Sequence, residues 1–320
     1  MQFMVSMKEI ALATGVSRTT VSFVLNGRAA EMKISSQVTE KVCQAAKRMG
    51  YIRNDLVRSV VKGKSLSIAV VTLAKNYMLP AICGFIEEAN FCNYHVNLVP
   101  FRGNIDDALT RAAAFRPAGI YVMEAQFSCE SISPVFRRMG IPTMGVHAPA
   151  RMNFDQKGSS RKGTEHLLSL GHRDIVYIAG NSSIAAERQA GYTEVMTENG
   201  LPCKILSHTG TDCDTNLLKE IISSKATAVQ CFNDYFAFQL MQQCHAEKLF
   251  IPEEFSLLGF GNLPAGEWTS PALSTVDEPY YDTGVLMFRR MRDLIEKGKE
   301  GDYGLLCGEV IQRKTTVSLL

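Results

Sequence analysis

The 320-residue sequence contains no apolar run approaching the ~18 residues that a helix needs to cross a bilayer. Its opening residues also lack a charged stretch followed by a short apolar one. Spanning and secretory readings are set aside on that ground: the expected location is cytoplasmic, with no membrane partner. The nine cysteines are scattered (43, 83, 92, 129, 203, 213, 231, 244, 307) and form no C-x-x-C pair, which argues against a zinc or disulfide framework and for reduced thiols. Catalytic signatures are missing too. There is no G-x-S-x-G and no complete G-x-G-x-x-G. Gly158 and Gly163 have the spacing of a phosphate-binding loop, but Thr164 and Glu165 follow where Lys and Ser or Thr are required. His166 and His172 lack metal-ligand spacing and read as surface or capping residues. The expectation is a protein that is not an enzyme and has no cofactor and no metal.

What is present is a soluble globular composition, 46% hydrophobic and 21% charged, with room for two or three domains. The net charge of +2 hides an asymmetry. Residues 1–64 hold 11 Lys and Arg against 4 acids, a balance of +7, and the remainder balances at −5. A basic module on an acidic body puts a nucleic-acid footprint at the N-terminus.

Within that module, SMKEIALATGVSRTTVSFVLN (residues 6–26) predicts two short helices joined by a tight turn. Ser6 and Glu9 have capping-box spacing. Ile10, Ala11 and Thr14 share a face, and Ala11 and Ala13 are small enough for a second helix to approach. Gly15 suits the left-handed end of the first helix, and Ser17 the N-cap of the second. Val21, Val24 and Leu25 then face inward, leaving Arg18, Thr19, Ser22 and Phe23 outward. This is the form of a helix-turn-helix, whose second helix presents its first residues to base edges in the major groove. Ser35 or Ser36 caps a third helix with an apolar stripe at Val38, Val42, Ala45 and Met49. Asn54 caps a further pattern, DLVRSVVK, which at about nine residues is shorter than the ~12–15 needed for an isolated helix to persist in water.

From Leu66 onward the sequence alternates apolar strands with amphipathic helices, in two runs broken near Ala148–Asn153. A long helix over Thr283–Glu296 and a final strand LCGEVIQR follow. Repeated βα units of this kind predict parallel doubly wound sheets, in two lobes with a cleft between them. Strand ends facing such a cleft are where open α/β sheets bind ligands.

Met7–Asn26, Val38–Tyr51 and Asn54–Ser65 together resemble the DNA-binding headpiece and hinge of the lactose-repressor (LacI/GalR) family, with GVSRTTVSFVLNG the most specific part. In the body, SLGHRDIVYIAG resembles the family's LGHxxIxxIxG, and Asn233-Asp234 in CFNDYFA its ND at a strand end. SPALSTVDEP resembles its PPLTTVxQP, and Arg188 in ERQAGY matches an Arg that grips effector hydroxyls or a carboxylate in many members. The resemblance implies an all-α helix-turn-helix headpiece (1–53), a hinge helix and linker (54–64) and a periplasmic-binding-protein-like core (65–320). The core's first lobe is expected to span about 65–152 plus 281–306, and its second about 153–280 plus 307–320. It further implies a transcriptional regulator, a repressor by expectation, that binds pseudo-palindromic operator DNA as a homodimer under control of a sugar-like or other polar effector. A binding protein of the same core without operator-specific activity is the alternative.

The DNA contacts so implied are Ser6, Ser17, Arg18, Thr19, Thr20, Ser22, Phe23, Asn26, Ser35, Tyr51, Asn54, Val57 and Val60. Arg18 and Thr19 are assigned to bases, Phe23 to a thymine methyl, and Val60 to an apolar wedge where the family usually has Leu. The effector contacts are Tyr77, Phe154, Arg188, Asn233, Asn262, Glu278 and Tyr280, with Phe127 and Trp268 as further aromatics able to line the cleft. Two departures stand out. GFGN (Gly259 to Asn262) replaces the family's GFDD, removing a carboxylate that commonly binds sugar hydroxyls, and Arg53 replaces a frequent Pro. A non-hexose effector is expected.

Overall fold

The computed structural model describes residues 5–52, 65–73, 78–123, 138–145, 154–207 and 215–320. It divides into two compact units, Met1–Ser65 and Leu66–Leu320. The expected hinge over 54–64 and the expected break near 148–153 lie outside the described residues.

Among the described residues, the first unit contains three capped helices. Helix α1 (Met7–Thr14) carries the full capping box: Ser6 Oγ accepts from Glu9 N–H at 3.3 Å while Glu9 Oε2 accepts from Ser6 N–H at 2.7 Å. Gly15, at φ 68°, ends it in the left-handed conformation. Ser17 caps α2 (Arg18–Leu25) through Thr20 N–H, and Ser35, not Ser36, caps α3 (Ser36–Arg48) through Val38 N–H. Ile10, Val21, Val24, Val42, Ala45 and Ala46 form the core, with Ala11, Val16, Leu25, Val38, Met49 and Tyr51 packed against it. Ala13 lies on the exposed side, so the close approach of α1 and α2 rests on Ala11 alone of the two alanines.

The second unit holds two sheets. The first comprises β1 (Ser67–Thr72), β2 (His95–Pro100), β3 (Gly119–Val122) and β4 (Thr143–Met144), all parallel in the order β2-β1-β3-β4. Helices α4 (Leu79–Phe91) and α5 (Ile105–Ala114) connect them. The second comprises β5 (Ile175–Ala179), β6 (Lys204–Ser207), β7 (Ala228–Cys231), β8 (Ser256–Phe260), β9 (Ser274–Val276) and β10 (Val310–Ile311), in the order β10-β9-β8-β7-β5-β6. Its helices are α6 (Gln156–Ser169), α7 (Ser183–Glu198), α8 (Thr215–Ser223), α9 (Asp234–Ala246) and the short α10 (Ala265–Trp268). The final strand is shorter than the apolar pattern suggests and runs antiparallel to β9, an edge addition to an otherwise parallel sheet. No helix among the described residues is long and apolar enough to cross a membrane.

After β9 the chain leaves the second sheet. Helix α11 (Tyr280–Lys297) packs on α4 of the first, its Phe288 set edge-on to Phe85 at 5.5 Å, and β10 then returns to β9. The two helices touch backbone to backbone through glycines. A Cβ on Gly284 would run into the Ala81 carbonyl, and one on Gly84 into that of Tyr281. Gly284→Ala should therefore destabilise the protein by about 1–3 kcal/mol, the usual cost of overpacking a tight contact. The check is a lower urea midpoint at unchanged slope; an unaltered midpoint would mean the helices separate freely.

The C-terminal tail is held by a histidine. His172 is fully buried, with Nε2 3.1 Å from the Val317 carbonyl and Nδ1 3.0 Å from Thr227 Oγ1. A carbonyl only accepts, so Nε2 carries the proton and Nδ1 accepts from the hydroxyl. Burial holds the His172 pKa below its ordinary value, against the raising effect of the Val317 bond, and burial lowers His166 likewise. The unfolded chain then binds more protons through this window, so stability is complete above about pH 6.5 and is lost as pH falls through the folded pKa. His172→Gln should flatten that acid-side loss in urea midpoints measured at about pH 7.5 and about pH 5.5, leaving a remainder from His166.

Candidate DNA-reading helix and effector site

In the first unit, the polar residues fall into two sets. Arg18 and Thr19 stand exposed on the first turn of α2. Ser6, Ser17 and Ser35 each accept a backbone amide as caps, and the Ser17 hydroxyl lies 2.9 Å from that of Thr20. Asn26 ends α2 by donating its amide to the Ser22 carbonyl at 2.7 Å and, more weakly, to Ser22 Oγ at 3.3 Å. Tyr51 is half-buried against the three-helix core. Phe23 is half-buried and covered: the Arg28 guanidinium lies 5.3 Å from its ring centre and is itself forked onto Glu31 at 2.6 and 2.8 Å. A thymine-methyl contact from Phe23 would have to share the ring with Arg28. Asn54, Val57 and Val60 lie outside the described residues.

In the second unit, a buried cluster gathers at the start of α6, on α7 and at the ends of β7 and β8. Arg188, on α7, donates through Nε to Gln156 Oε1 at 2.6 Å, through Nη1 to the Phe232 carbonyl at 2.8 Å, and through Nη2 to Glu278 Oε2 at 2.8 Å. Its guanidinium carbon sits 3.7 Å from the centre of the Phe260 ring, which meets Phe154 edge-on at 6.2 Å. Glu278 also accepts from Gln156 Nε2 at 3.2 Å and from the Tyr280 hydroxyl at 2.8 Å. The Arg188 and Glu278 side chains are only 8% and 5% exposed. Among the described residues the nearby Tyr177 hydroxyl is buried without a hydrogen-bond partner. Burial pushes its pKa up, and the nearby Arg188 charge opposes the rise.

The structure thus brings together Phe154, Arg188, Glu278 and Tyr280 of the residues expected at the effector. Asn233 sits next to the Phe232 carbonyl but spends its Oδ1 capping α9 through Phe236 N–H at 3.0 Å. Asn262 belongs to a different network, since its amide donates to Asp277 at 2.9 Å and accepts from Arg313 at 2.8 Å. The preceding Gly261 has φ 129°, a conformation closed to aspartate, and the space beside it faces the buried Asp234 carboxylate. Asp234 accepts from Thr275 Oγ1 at 2.6 Å and from Leu263 N–H at 2.7 Å, and burial raises its pKa. Trp268 is 83% exposed, and Tyr77 and Phe127 lie outside the described residues.

Gln156 and Phe260 were not anticipated from the sequence. The one available signal for Arg188's partner was Glu278 itself, standing where the family pattern PPLTTVxQP has Gln. Among the described residues no three His, Cys, Asp or Glu side chains could hold a metal ion. A separate groove of about 540 Å3 lies between α8 and α9, lined by Leu218, Ile222, Gln243 and Leu249 with exposed Lys219 and Glu247. It contains no buried charge.

Two family models match in succession. One for bacterial regulatory proteins, lacI family, covers residues 6–54, and one for a periplasmic binding protein-like domain covers residues 164–316. The chain is similar to the HTH-type transcriptional repressor PurR of Vibrio campbellii (strain ATCC BAA-1116), 28% identical over 338 residues, spanning 99% of this chain and 100% of the relative. The PurR of Histophilus somni (strain 2336) is likewise 28% identical over 341 residues, with the same coverage. Among solved structures, the lac repressor dimer bound to operator and the anti-inducer ONPF shares the fold with a TM-score of 0.78 at 23% identity, covering 99% of this chain and 100% of that one. A complex of the transcriptional regulator CelR with cellobiose gives 0.66 at 20% identity, covering 98% of this chain and 100% of that one. The chain thus carries a DNA-binding domain of the lacI family of bacterial regulatory proteins at residues 6–54, followed by a periplasmic binding protein-like domain at residues 164–316, in an order that its PurR relatives share end to end.

Proposed function

We propose that this protein is a cytoplasmic transcriptional repressor that binds a pseudo-palindromic operator as a homodimer, its affinity controlled by a small molecule at the Arg188 cluster. On this reading it is a regulator and not an enzyme. The chain divides into a reading headpiece (1–53), a hinge (54–64) and a core (65–320). The core's lobes take about 65–152 plus 281–306, and about 153–280 plus 307–320. The observation that carries the reading is α2: a recognition helix capped by Ser17, docked through Val21 and Val24, with Arg18 and Thr19 exposed on its first turn.

The roles follow from that placement. Arg18 reads a guanine through a two-pronged donor fork and Thr19 a neighbouring base edge. The hydroxyls of Ser6, Ser17, Thr20, Ser22 and Ser35, with Asn26 and Tyr51, serve the phosphates, where exposed amides at helix starts also favour anions. Phe23 positions Arg28 beside the groove and offers its ring edge to a thymine methyl. In the hinge, Asn54, Val57 and Val60 contact the minor groove, with Val60 as the wedge. In the core, Phe154, Arg188, Asn233, Asn262, Glu278 and Tyr280, with Tyr77, surround the effector.

Selection of binding sites from random DNA by the full chain and by Arg18→Ala tests this. The wild type should enrich a two-fold symmetric sequence, and the variant should lose about 1–3 kcal/mol of discrimination at one symmetric pair of positions. No enriched sequence from the wild type would favour a ligand-binding protein without operator activity. Identical preferences from both would remove Arg18 from the base contacts.

A further inference from the structure

The Arg188 guanidinium has the donors of an anion-binding site, and the chain itself supplies the anion. Nη2 is met by Glu278 Oε2, Nε by the Gln156 amide oxygen and Nη1 by the Phe232 carbonyl, while Phe260 covers one face. Glu278 is bonded at both oxygens. Oε2 accepts from Arg188 and Tyr280, and Oε1 from Gln156. Both residues are more than nine-tenths buried, at 6% and 5% exposure. The pair is therefore neutral as a unit, and neither charge is left for a ligand to neutralise.

That balance has a consequence for what the cluster accepts. An incoming carboxylate or phosphate would meet a guanidinium whose charge Glu278 already balances, so it would either bury a second anion beside Glu278 or displace Glu278 and leave that buried carboxylate without its cation. Uncompensated buried charge is the costliest outcome available to such a pair. A cationic ligand would strand Arg188 in the same way. An uncharged polar ligand displaces neither, and it can use the buried Tyr177 hydroxyl, which has no partner among the described residues. We propose that Glu278 is a specificity-determining residue: it occupies the anion site of Arg188, so the protein refuses anionic effectors and responds to an uncharged polar one. This rests on the reading of the Arg188 cluster as the effector site.

The test uses the full chain without DNA, with sodium formate and inorganic phosphate as probes against sodium chloride at matched ionic strength. Binding is followed by calorimetry and thermal unfolding. The wild type should show no saturable response to either anion. Glu278→Ala opens the space of one carboxylate beside Arg188. It should melt at a lower temperature and be restored saturably by formate, with affinity at least ~10-fold above any wild-type response, and that gain should vanish in Arg188→Met/Glu278→Ala. If Glu278→Ala does not fold, Glu278→Gln keeps the volume and removes the charge. Its melting temperature should then rise with formate or phosphate where the wild type's does not. Equal anion binding by wild type and variant, or a folded variant indifferent to both anions, overturns the proposal. Because no DNA is present, failure to find an operator would leave this result intact, and the reverse holds as well.

Discussion

The core depends on a buried ion pair whose members are costly to bury singly and stable only together. Removing Arg188 and Glu278 from water costs several kcal/mol per ion, offset only where geometry is good and the remaining donors and acceptors are satisfied. Here four separate segments supply that satisfaction: Gln156 at the start of α6, Phe232 after β7, Phe260 at the end of β8, and Tyr280 at the start of α11. Disturbing any of them disturbs a charge. Tyr280 also packs against the core of the first sheet, so the strand-to-helix crossover that carries Glu278 is anchored at both ends. On the proposed reading, a ligand at this cluster would bear on the segment where the chain passes from one sheet to the other, which leads directly into α11 and its glycine contacts with α4.

The headpiece is held by different means. Among the described residues its core is small, six buried apolar residues from three short helices, and each of those helix starts is fixed by a serine cap. A cap is typically worth ~1 kcal/mol, a large share of what so small a core can provide. The serines that cap these helices therefore set the geometry from which Arg18 and Thr19 project. Helix geometry is set there through local backbone bonds, whereas the ion pair of the core joins residues far apart in the chain.

That contrast explains what could be read from the sequence. Caps, turns and apolar stripes are local, and Ser6 with Glu9, Gly15, Ser17 and the Val21/Val24 face all appear in the structure as their spacing predicts. The βα alternation of the core is similarly visible, because buried parallel strands are near-continuous apolar runs. The site was only half legible. Arg188, Phe154, Glu278 and Tyr280 meet, yet Glu278 is 90 positions from Arg188 along the chain and Gln156 is 32 away, and no local pattern announces such a pairing. Asn262, also expected at the effector, is bonded to Asp277 and Arg313, partners that nothing within GFGN points to. Phe23 looked free for the same reason: only the fold of the following turn brings Arg28 over its ring.

The most direct measurement of the central claim is a double-mutant cycle on Arg188 and Glu278, using Arg188→Met, Glu278→Gln and both together, with unfolding free energies from urea titration. If each charge is stable only because of the other, the losses of the two single variants should sum to more than the loss of the double variant. The coupling should then be about 2 kcal/mol or greater, since removing one partner strands a buried charge and removing both does not. Additive losses, with coupling near zero, would mean that Arg188 and Glu278 are independently accommodated and that the cluster is not the electrostatic unit on which the core rests.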